Sequence, residues 1–211
     1  ADVLALQEVR ATPEQVDAQL STMARDDHIN AIRLPLWGLY VGHPIDFSLW
    51  DCCFAAAERL GLRVNPVLPQ YPDWLTGGGD DPEVRAAYAR HLEPIVTRYR
   101  HSPALAFWTV DIEPTRDWRK DPSQATIDRF RAWLQAKYGS DEAFHQANPG
   151  IELPISQAYV VNAASEGPWN NFQPLVDWIT FSTRAVADQV AFAAATVRRL
   201  DPGHPVSATP T

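Results

Sequence analysis

The sequence predicts an α/β fold in which the strands of a parallel sheet alternate with helices. Amphipathic segments such as residues 13–25, PEQVDAQLSTMAR, alternate along the chain with short apolar segments such as residues 29–37, INAIRLPLW. The apolar segments are nearly continuous, which is typical of parallel strands buried on both faces. The predicted order is helix, strand, helix, strand, helix, strand, helix, helix, strand, as in successive βαβ units.

The helices are recognised by their 3.6-residue periodicity and by the residues at their ends. Thr12 can cap the first helix, and Pro13 occupies its first position. Gly61 and Gly139 close the second and fourth helices. Pro94 predicts a kink or local distortion within the third. The predicted helices span residues 13–25, 48–61, 82–100, 125–139 and 176–200, and the predicted strands lie within 29–37, 62–69, 104–114 and 204–211.

The length and composition indicate one globular domain. The chain has 211 residues, of which 45% are hydrophobic, and this is enough to bury a sizeable core. No linker, internal repeat or block of like charges interrupts the pattern, so we expect residues 1–211 to form a single domain. The irregular stretch 149–174 is long for a compact domain, and loops of that length are usually functional or disordered.

Charge and composition exclude several classes of function. A net charge of −8 argues against a nucleic-acid partner, which needs a basic surface. No apolar stretch reaches the roughly 18 residues that a membrane span needs, and no signal peptide is seen, so we expect a cytoplasmic protein. Cys52 and Cys53 are interpreted as small buried side chains, which fit a reducing compartment. The six histidines are scattered without ligand spacing, so neither a metal site nor a cofactor is expected.

Polar and aromatic residues gather where the predicted strands end. Trp37 follows the first strand, Tyr71 and Trp74 follow the second, and Asp111 and Glu113 end the third. In a (β/α)8 barrel the active site lies at these strand ends, and a doubly wound sheet also binds its ligands there. No glycine-rich phosphate-binding turn follows a strand, because TGGGDD at 76–81 lacks the dinucleotide spacing. The pattern therefore favours a barrel over a nucleotide-binding sheet.

The segment 105–118, LAFWTVDIEPTRDW, places two carboxylates at the end of an apolar strand among aromatic residues. Strand alternation puts Asp111 and Glu113 on the same side. An acid in this setting can protonate a glycosidic oxygen when its surroundings raise its pKa. Alternatively, the two acids cap the following helix or pair with Arg116 and Arg119. The pattern by itself leaves both interpretations open.

A resemblance to a known family narrows the choice. HSPALAFWTVDIEP resembles the fourth barrel strand of the clan A glycoside hydrolases. FRAWLQAKYGSDEAFHQAN and DWITFSTRAVADQVAFAAATVRRLDPGHPVSATP resemble helices of glycoside hydrolase family 42, the β-galactosidase-type family, and INAIRLPLW with IDFSLWDCCFAAAERLGLRVNPVLPQYPDWL resembles its second and third strand units. The likeness runs from about Glu14 to Thr211. It implies an α/β fold of the (β/α)8 TIM-barrel type, present here as the N-terminal part, about strands 2 to 5, and it implies no metal and no cofactor.

The resemblance also implies a retaining mechanism on a β-linked sugar. Glu113 falls on the general acid/base of the family, and Arg33 matches the arginine beside its nucleophile. The remaining candidates for the sugar cleft are Trp37, Tyr71, Trp74, Asp111, Trp118 and Trp169. For each aromatic residue among them, the alternative is that it packs under a loop.

Two departures from the family pattern produce the alternative hypothesis. Ile112 stands where the family has an asparagine that binds the 2-hydroxyl of the sugar, and the nucleophile is expected at a seventh strand, beyond Thr211. The alternative is a non-catalytic carbohydrate-binding barrel or pseudo-enzyme. On either hypothesis the partner is a carbohydrate. Because a partial barrel leaves open sheet edges, we also expect association with the rest of a longer chain or with further copies.

Overall fold

A computed structural model describes residues 11–36, 44–69, 81–112, 122–158 and 173–209, and of Asp111, Ile112 and Thr209 it describes the backbone alone. The helices are α1 (Pro13–Arg25), α2 (Ser48–Leu60), α3 (Pro82–Tyr99), α4 (Gln124–Tyr138), α5 (Asp141–Ala147) and α6 (Gln173–Leu200). The strands are β1 (Ala31–Pro35), β2 (Arg63–Val67), β3 (Trp108–Ile112) and β4 (Val206–Thr209). The predicted α/β order is confirmed, with a short helix, α5, and a 3-10 turn at Ile155–Gln157 in addition.

The four strands form one parallel sheet in the order β1-β2-β3-β4. A doubly wound sheet reverses its strand order at a switch point, whereas a barrel adds each new strand on the same side. No reversal occurs among these four strands, so the topology is that of consecutive units of a (β/α)8 barrel. This confirms the predicted fold class.

The chain divides into two compact units. The first comprises Ala1–Tyr71, Ala86–Pro114 and Val190–Thr211, and it holds the whole sheet. The second comprises Pro72–Arg85 and Thr115–Gln189. The single domain expected over residues 1–211 stays a prediction.

In the first unit, burial alternates along β1. Ile32, Leu34 and Leu36 are buried, whereas Ala31 and Arg33 are exposed. The expectation that β1 is buried on both faces is therefore wrong among the described residues, because the side chains of Ala31 and Arg33 are left exposed on one face. The buried side chains of α1 and α2, which pack against each other, are Val16, Leu20, Trp50, Cys53, Phe54, Ala56 and Ala57.

The helix ends follow the local sequence. At the start of α1, the Thr12 side chain accepts a hydrogen bond from the Gln15 backbone N–H, and the Gln15 side chain accepts one from the Thr12 N–H. This is a capping box, and it satisfies two donors that a helix N-terminus leaves unpaired. Gly61 ends α2 with a φ of 71°, which glycine adopts without strain. Helix α3 continues through Pro94 as one assigned helix.

The second unit has a core of its own, built by α4, α5, the 3-10 turn and the first half of α6. Aromatic side chains dominate this core: the Phe130 ring lies edge-on to Trp178, with the ring centroids 5.1 Å apart. A buried acid, Asp177, accepts hydrogen bonds from Lys137, from the Tyr138 hydroxyl at 2.6 Å and from Gln173 at 2.8 Å. The charge of Asp177 is thus compensated by hydrogen-bond donors beside an apolar core.

Two sequence expectations concern single features. Cys53 is 1% exposed as expected, but Cys52 is only half-buried, and both are free thiols. Across the part of the chain that the structure describes, no helix combines the length and the apolar character that crossing a membrane requires.

Candidate active site

The candidate site lies at the carboxyl edge of the sheet. All four strands are parallel, so their C-terminal ends meet at this edge. Backbone hydrogen bonds extend the pairing to the edge itself: the Leu36 N–H donates to Val67, and the Leu68 N–H donates to Thr109, both at 2.8 Å. The residues that directly follow β1 and β2 are therefore each held against the neighbouring strand.

Arg33 is the one candidate residue whose side chain the structure describes. It lies on β1 with Asn65 of β2 as its Cα partner. Its side chain is on the exposed face of the strand, opposite the buried Ile32 and Leu34. In a barrel this face is the interior one, which fits the position that the resemblance implies for Arg33.

Asp111 lies in β3, one residue before the last residue of the strand, Ile112. Glu113 follows directly and is outside the described residues. The other predicted cleft residues, which also lie outside them, are Trp37, Tyr71, Trp74, Trp118 and Trp169. Their roles stay predictions.

The pairing of β3 with β4 is irregular just before Glu113. Thr109 pairs with Ser207, but Ile112 pairs with Thr209, so three steps along β3 match two steps along β4. An extra residue of this kind is the mark of a β-bulge, which locally breaks the alternation of side chains along the strand. Glu113 and the side chain of Asp111 are outside the described residues, so their placement on one face stays a prediction. Bulges are frequent next to active sites.

A row of polar side chains crosses the barrel-facing side of the sheet. We call it the polar row: Asn65 on β2, Thr109 on β3 and Ser207 on β4. The Thr109 hydroxyl donates to Asn65 Oδ1 at 2.9 Å, and the Thr109 and Ser207 hydroxyl oxygens are 3.0 Å apart. Barrel interiors are usually filled by branched apolar side chains, so this row is an exception. Sequence reasoning missed it, although each member is a polar residue within an otherwise apolar strand.

On the other face, β3 is anchored by Asp201. This carboxylate follows α6 and is 4% exposed. Its Oδ2 accepts from the Trp108 indole N–H at 2.8 Å and lies 2.8 Å from His204 Nδ1, and its Oδ1 accepts from the Gly203 N–H at 3.1 Å. Burial on its own raises the pKa of Asp201, but the hydrogen bonds from Trp108, His204 and Gly203 outweigh burial and hold that pKa below the usual value for aspartate.

Two further features bear on the chemistry of the site. Among the residues that the structure describes, no group of three or more His, Cys, Asp or Glu side chains is placed to hold a metal ion. A cavity in the second unit, of about 20 Å³, is lined mainly by apolar side chains such as Phe130, Leu134 and Phe144. That volume holds about one water molecule and is too small for a sugar ring.

Comparison with solved structures supports the fold. A cold-adapted β-galactosidase from Rahnella sp. R3 is similar to the chain, with a TM-score of 0.74 and 18% identity, over 92% of this chain and 33% of the other. A β-galactosidase from Bacillus circulans sp. alkalophilus is similar with a TM-score of 0.72 and 16% identity, over 94% and 34%. The catalytic domain of a β-amylase from Paenibacillus polymyxa is similar with a TM-score of 0.63 and 13% identity, over 92% and 62%. The chain thus spans about a third of the length of these β-galactosidases.

Comparison with sequences identifies the family. No curated protein sequence matches the chain. The model of glycoside hydrolase family 42, described as β-galactosidase, matches residues 80–209, which is more than half of the chain and includes β3 and Glu113. Together with the sheet topology, this match shows that the chain belongs to glycoside hydrolase family 42, as part of a clan A glycoside hydrolase barrel.

Proposed function

We propose that the chain is part of the catalytic barrel of a retaining glycoside hydrolase that acts on a β-linked sugar, as β-galactosidases do. The observation that carries the proposal is the family match over residues 80–209. This range contains β3, and the chain leaves β3 at the carboxyl edge of a parallel sheet, where barrel enzymes have their active sites.

In this proposal Glu113 is the general acid/base. It protonates the leaving oxygen as the glycosidic bond breaks and then removes a proton from the attacking water. General acid catalysis of this kind contributes about 10²–10⁴-fold to the rate. Arg33, on the interior face of β1, helps to hold the negative charge of a nucleophilic carboxylate. No residue of this sequence is assigned as that nucleophile.

The sugar is proposed to stack on aromatic side chains and to hydrogen bond with a carboxylate. The residues proposed for these contacts are Trp37, Tyr71, Trp74, Asp111, Trp118 and Trp169. The carbohydrate is the proposed partner. A cytoplasmic location and association with the rest of a longer chain or with further copies stay predictions.

One observation favours a second candidate function, a barrel that binds carbohydrate without cleaving it. Ile112 ends β3 immediately before Glu113, where the family pattern has asparagine. The apolar side chain of isoleucine offers no hydrogen bond to a sugar hydroxyl. Contacts to the 2-hydroxyl strengthen in the transition state and supply part of the catalysis. Ile112→Asn would distinguish the two functions. It should preserve or raise the hydrolysis rate if the protein is an enzyme, and it should produce no hydrolysis if the protein lacks its other catalytic groups.

The test is hydrolysis of a panel of aryl β-glycosides by the complete protein and by its Glu113→Gln variant. The substitution keeps the shape of the side chain but removes the acid, so we expect loss of turnover on substrates with poor leaving groups and nearly unchanged sugar binding. Glu93→Gln is the matched control, because Glu93 is exposed on α3 and carries the same charge. Hydrolysis by Glu113→Gln at the rate of the unmodified protein would remove Glu113 from the mechanism. Binding without turnover on any sugar would favour the second function.

A further inference from the structure

The polar row is a structural feature that the proposed chemistry does not explain. Its members come from three neighbouring strands, and Thr109 in the middle is 2% exposed. A buried hydroxyl costs free energy unless it is hydrogen bonded, and an apolar side chain of similar size would fill the space without that requirement. The hydroxyl of a threonine in the barrel interior therefore indicates a function that the isosteric valine could not provide.

The hydrogen bonds of the row have a definite direction. Thr109 has a single hydroxyl proton, and it donates this proton to Asn65 Oδ1. The 3.0 Å contact with Ser207 is then a bond in which the Ser207 hydroxyl donates to Thr109. The alternative acceptor for Ser207, the Trp108 carbonyl oxygen, lies farther away at 3.4 Å. Thr109 is thus bonded on both sides, to β2 and to β4.

The polar row crosses β3 at Thr109, where the register between β3 and β4 is about to shift. Thr109 is the last residue of β3 that pairs in register with β4 before the bulge, and Ile112 is the next. Glu113 is the first residue of the sequence after β3. Regular pairing ends at Thr109, so the side-chain bonds of Thr109 add to the backbone pairing at the point where the register of β3 against β4 changes.

We propose that Thr109 is a positioning residue for Glu113, which it places through the polar row with Asn65 and Ser207. This inference rests on the proposed function of Glu113 as the general acid/base. Without the row, β3 keeps its backbone pairing but loses the side-chain bonds that join Thr109 to β2 and to β4 at the start of the bulge. A small displacement of the acid would then weaken proton transfer to the leaving group, which is the step that kcat/KM reports.

Leaving-group dependence separates this role from a general loss of stability. An aryl glycoside with an acidic phenol, such as dinitrophenol, needs little help from the acid, whereas a phenyl glycoside depends on it. We expect Thr109→Val to lower kcat/KM for the phenyl glycoside about tenfold or more, as small misplacements of catalytic groups do, and to leave the dinitrophenyl glycoside nearly unchanged. Thr109→Ser keeps the hydroxyl and should restore most of the phenyl rate.

The matched control is Val64→Ala. Val64 precedes Asn65 on β2, is fully buried and lies on the opposite face of the strand, so its truncation destabilises the same sheet without touching the row. It should lower the melting temperature without making the rate more dependent on the leaving group. Equal slowing of both substrates by Thr109→Val, failure of Thr109→Ser to recover the phenyl rate, or an equally steep dependence in Val64→Ala would each overturn the inference. The proposed function fails if the unmodified protein hydrolyses no aryl glycoside, or if the Glu113→Gln variant is as active as the unmodified protein. In either case the positioning role fails with it.

Discussion

The anchor formed by Asp201 predicts a pH-dependent contribution to stability, which Asp201→Asn should remove. The carboxylate accepts three hydrogen bonds, two at Oδ2 and one at Oδ1. An asparagine can place its carbonyl oxygen near Trp108 and His204, but its amide group then faces the Gly203 N–H, and two donors meet. One bond is lost, and the other two change from charged to neutral.

The magnitude follows from these contacts. Hydrogen bonds to charged groups contribute about 1.5–3 kcal/mol each and neutral ones about 0.5–1.5 kcal/mol. Losing one charged bond and converting two to neutral ones should therefore lower the unfolding free energy at pH 7 by about 3.5–6 kcal/mol. The folded-state pKa of Asp201 lies below the ordinary value of 3.8. The stabilisation by the carboxylate is therefore fully present above pH 3.8 and is lost as the pH falls through the lower folded-state pKa. The difference in unfolding free energy between the parent protein and Asp201→Asn should become smaller in that acidic range.

Urea unfolding at pH 7 and at about pH 3 measures both quantities. Asp188→Asn is the control, because Asp188 is exposed on α6 and its substitution makes the same charge change. It should alter the unfolding free energy by no more than about 0.5 kcal/mol. An Asp201→Asn variant as stable as the parent at pH 7, or a difference that grows on acidification, would refute the assignment of Asp201 as an anchor of β3.

Two other predictions concern single groups. Burial raises the pKa of Cys53 to about 12, which keeps its thiol protonated. A thiol reagent should therefore label Cys52 rapidly, and Cys53 only as fast as the protein opens. Equal labelling rates of the two cysteines in the folded protein would contradict this. Tyr138→Phe removes a 2.6 Å hydrogen bond to the buried Asp177 and should lower the unfolding free energy by about 1.5–3 kcal/mol in a urea titration. An unchanged value would show that the hydrogen bonds from Lys137 and Gln173 are enough to compensate the buried carboxylate.

The order of helices and strands could be predicted because each main element carries a local signal. Periodicity and caps such as Thr12 and Gly61 mark the ends of α1 and α2 in the sequence itself. Helix α5, with seven residues, is too short for periodicity to reveal. The two-sided burial expected for β1 was wrong because a nearly continuous apolar run hides the exposed positions of Ala31 and Arg33.

The site was less predictable because its contacts are not local. The members of the polar row are 44 and 98 residues apart in sequence, and Trp108 and Asp201 are 93 apart. Only the register of the parallel strands brings them together, and the sequence carries no sign of that register. The β-bulge before Ile112 is likewise a property of how β3 pairs with β4. The strand end itself was foreseeable, since an apolar run that stops at two carboxylates is visible in any reading of residues 105–113.

The most direct test of the central claim is chemical rescue of Glu113→Ala in the complete protein by azide. If Glu113 is the acid/base of a retaining enzyme, an activated aryl glycoside still forms the glycosyl-enzyme, and azide attacks it without needing a base. We predict that azide restores turnover and that the product is the β-glycosyl azide, identified by its NMR spectrum. Unimpaired hydrolysis by Glu113→Ala without azide would contradict the claim, and an α-glycosyl azide product would make Glu113 the nucleophile instead.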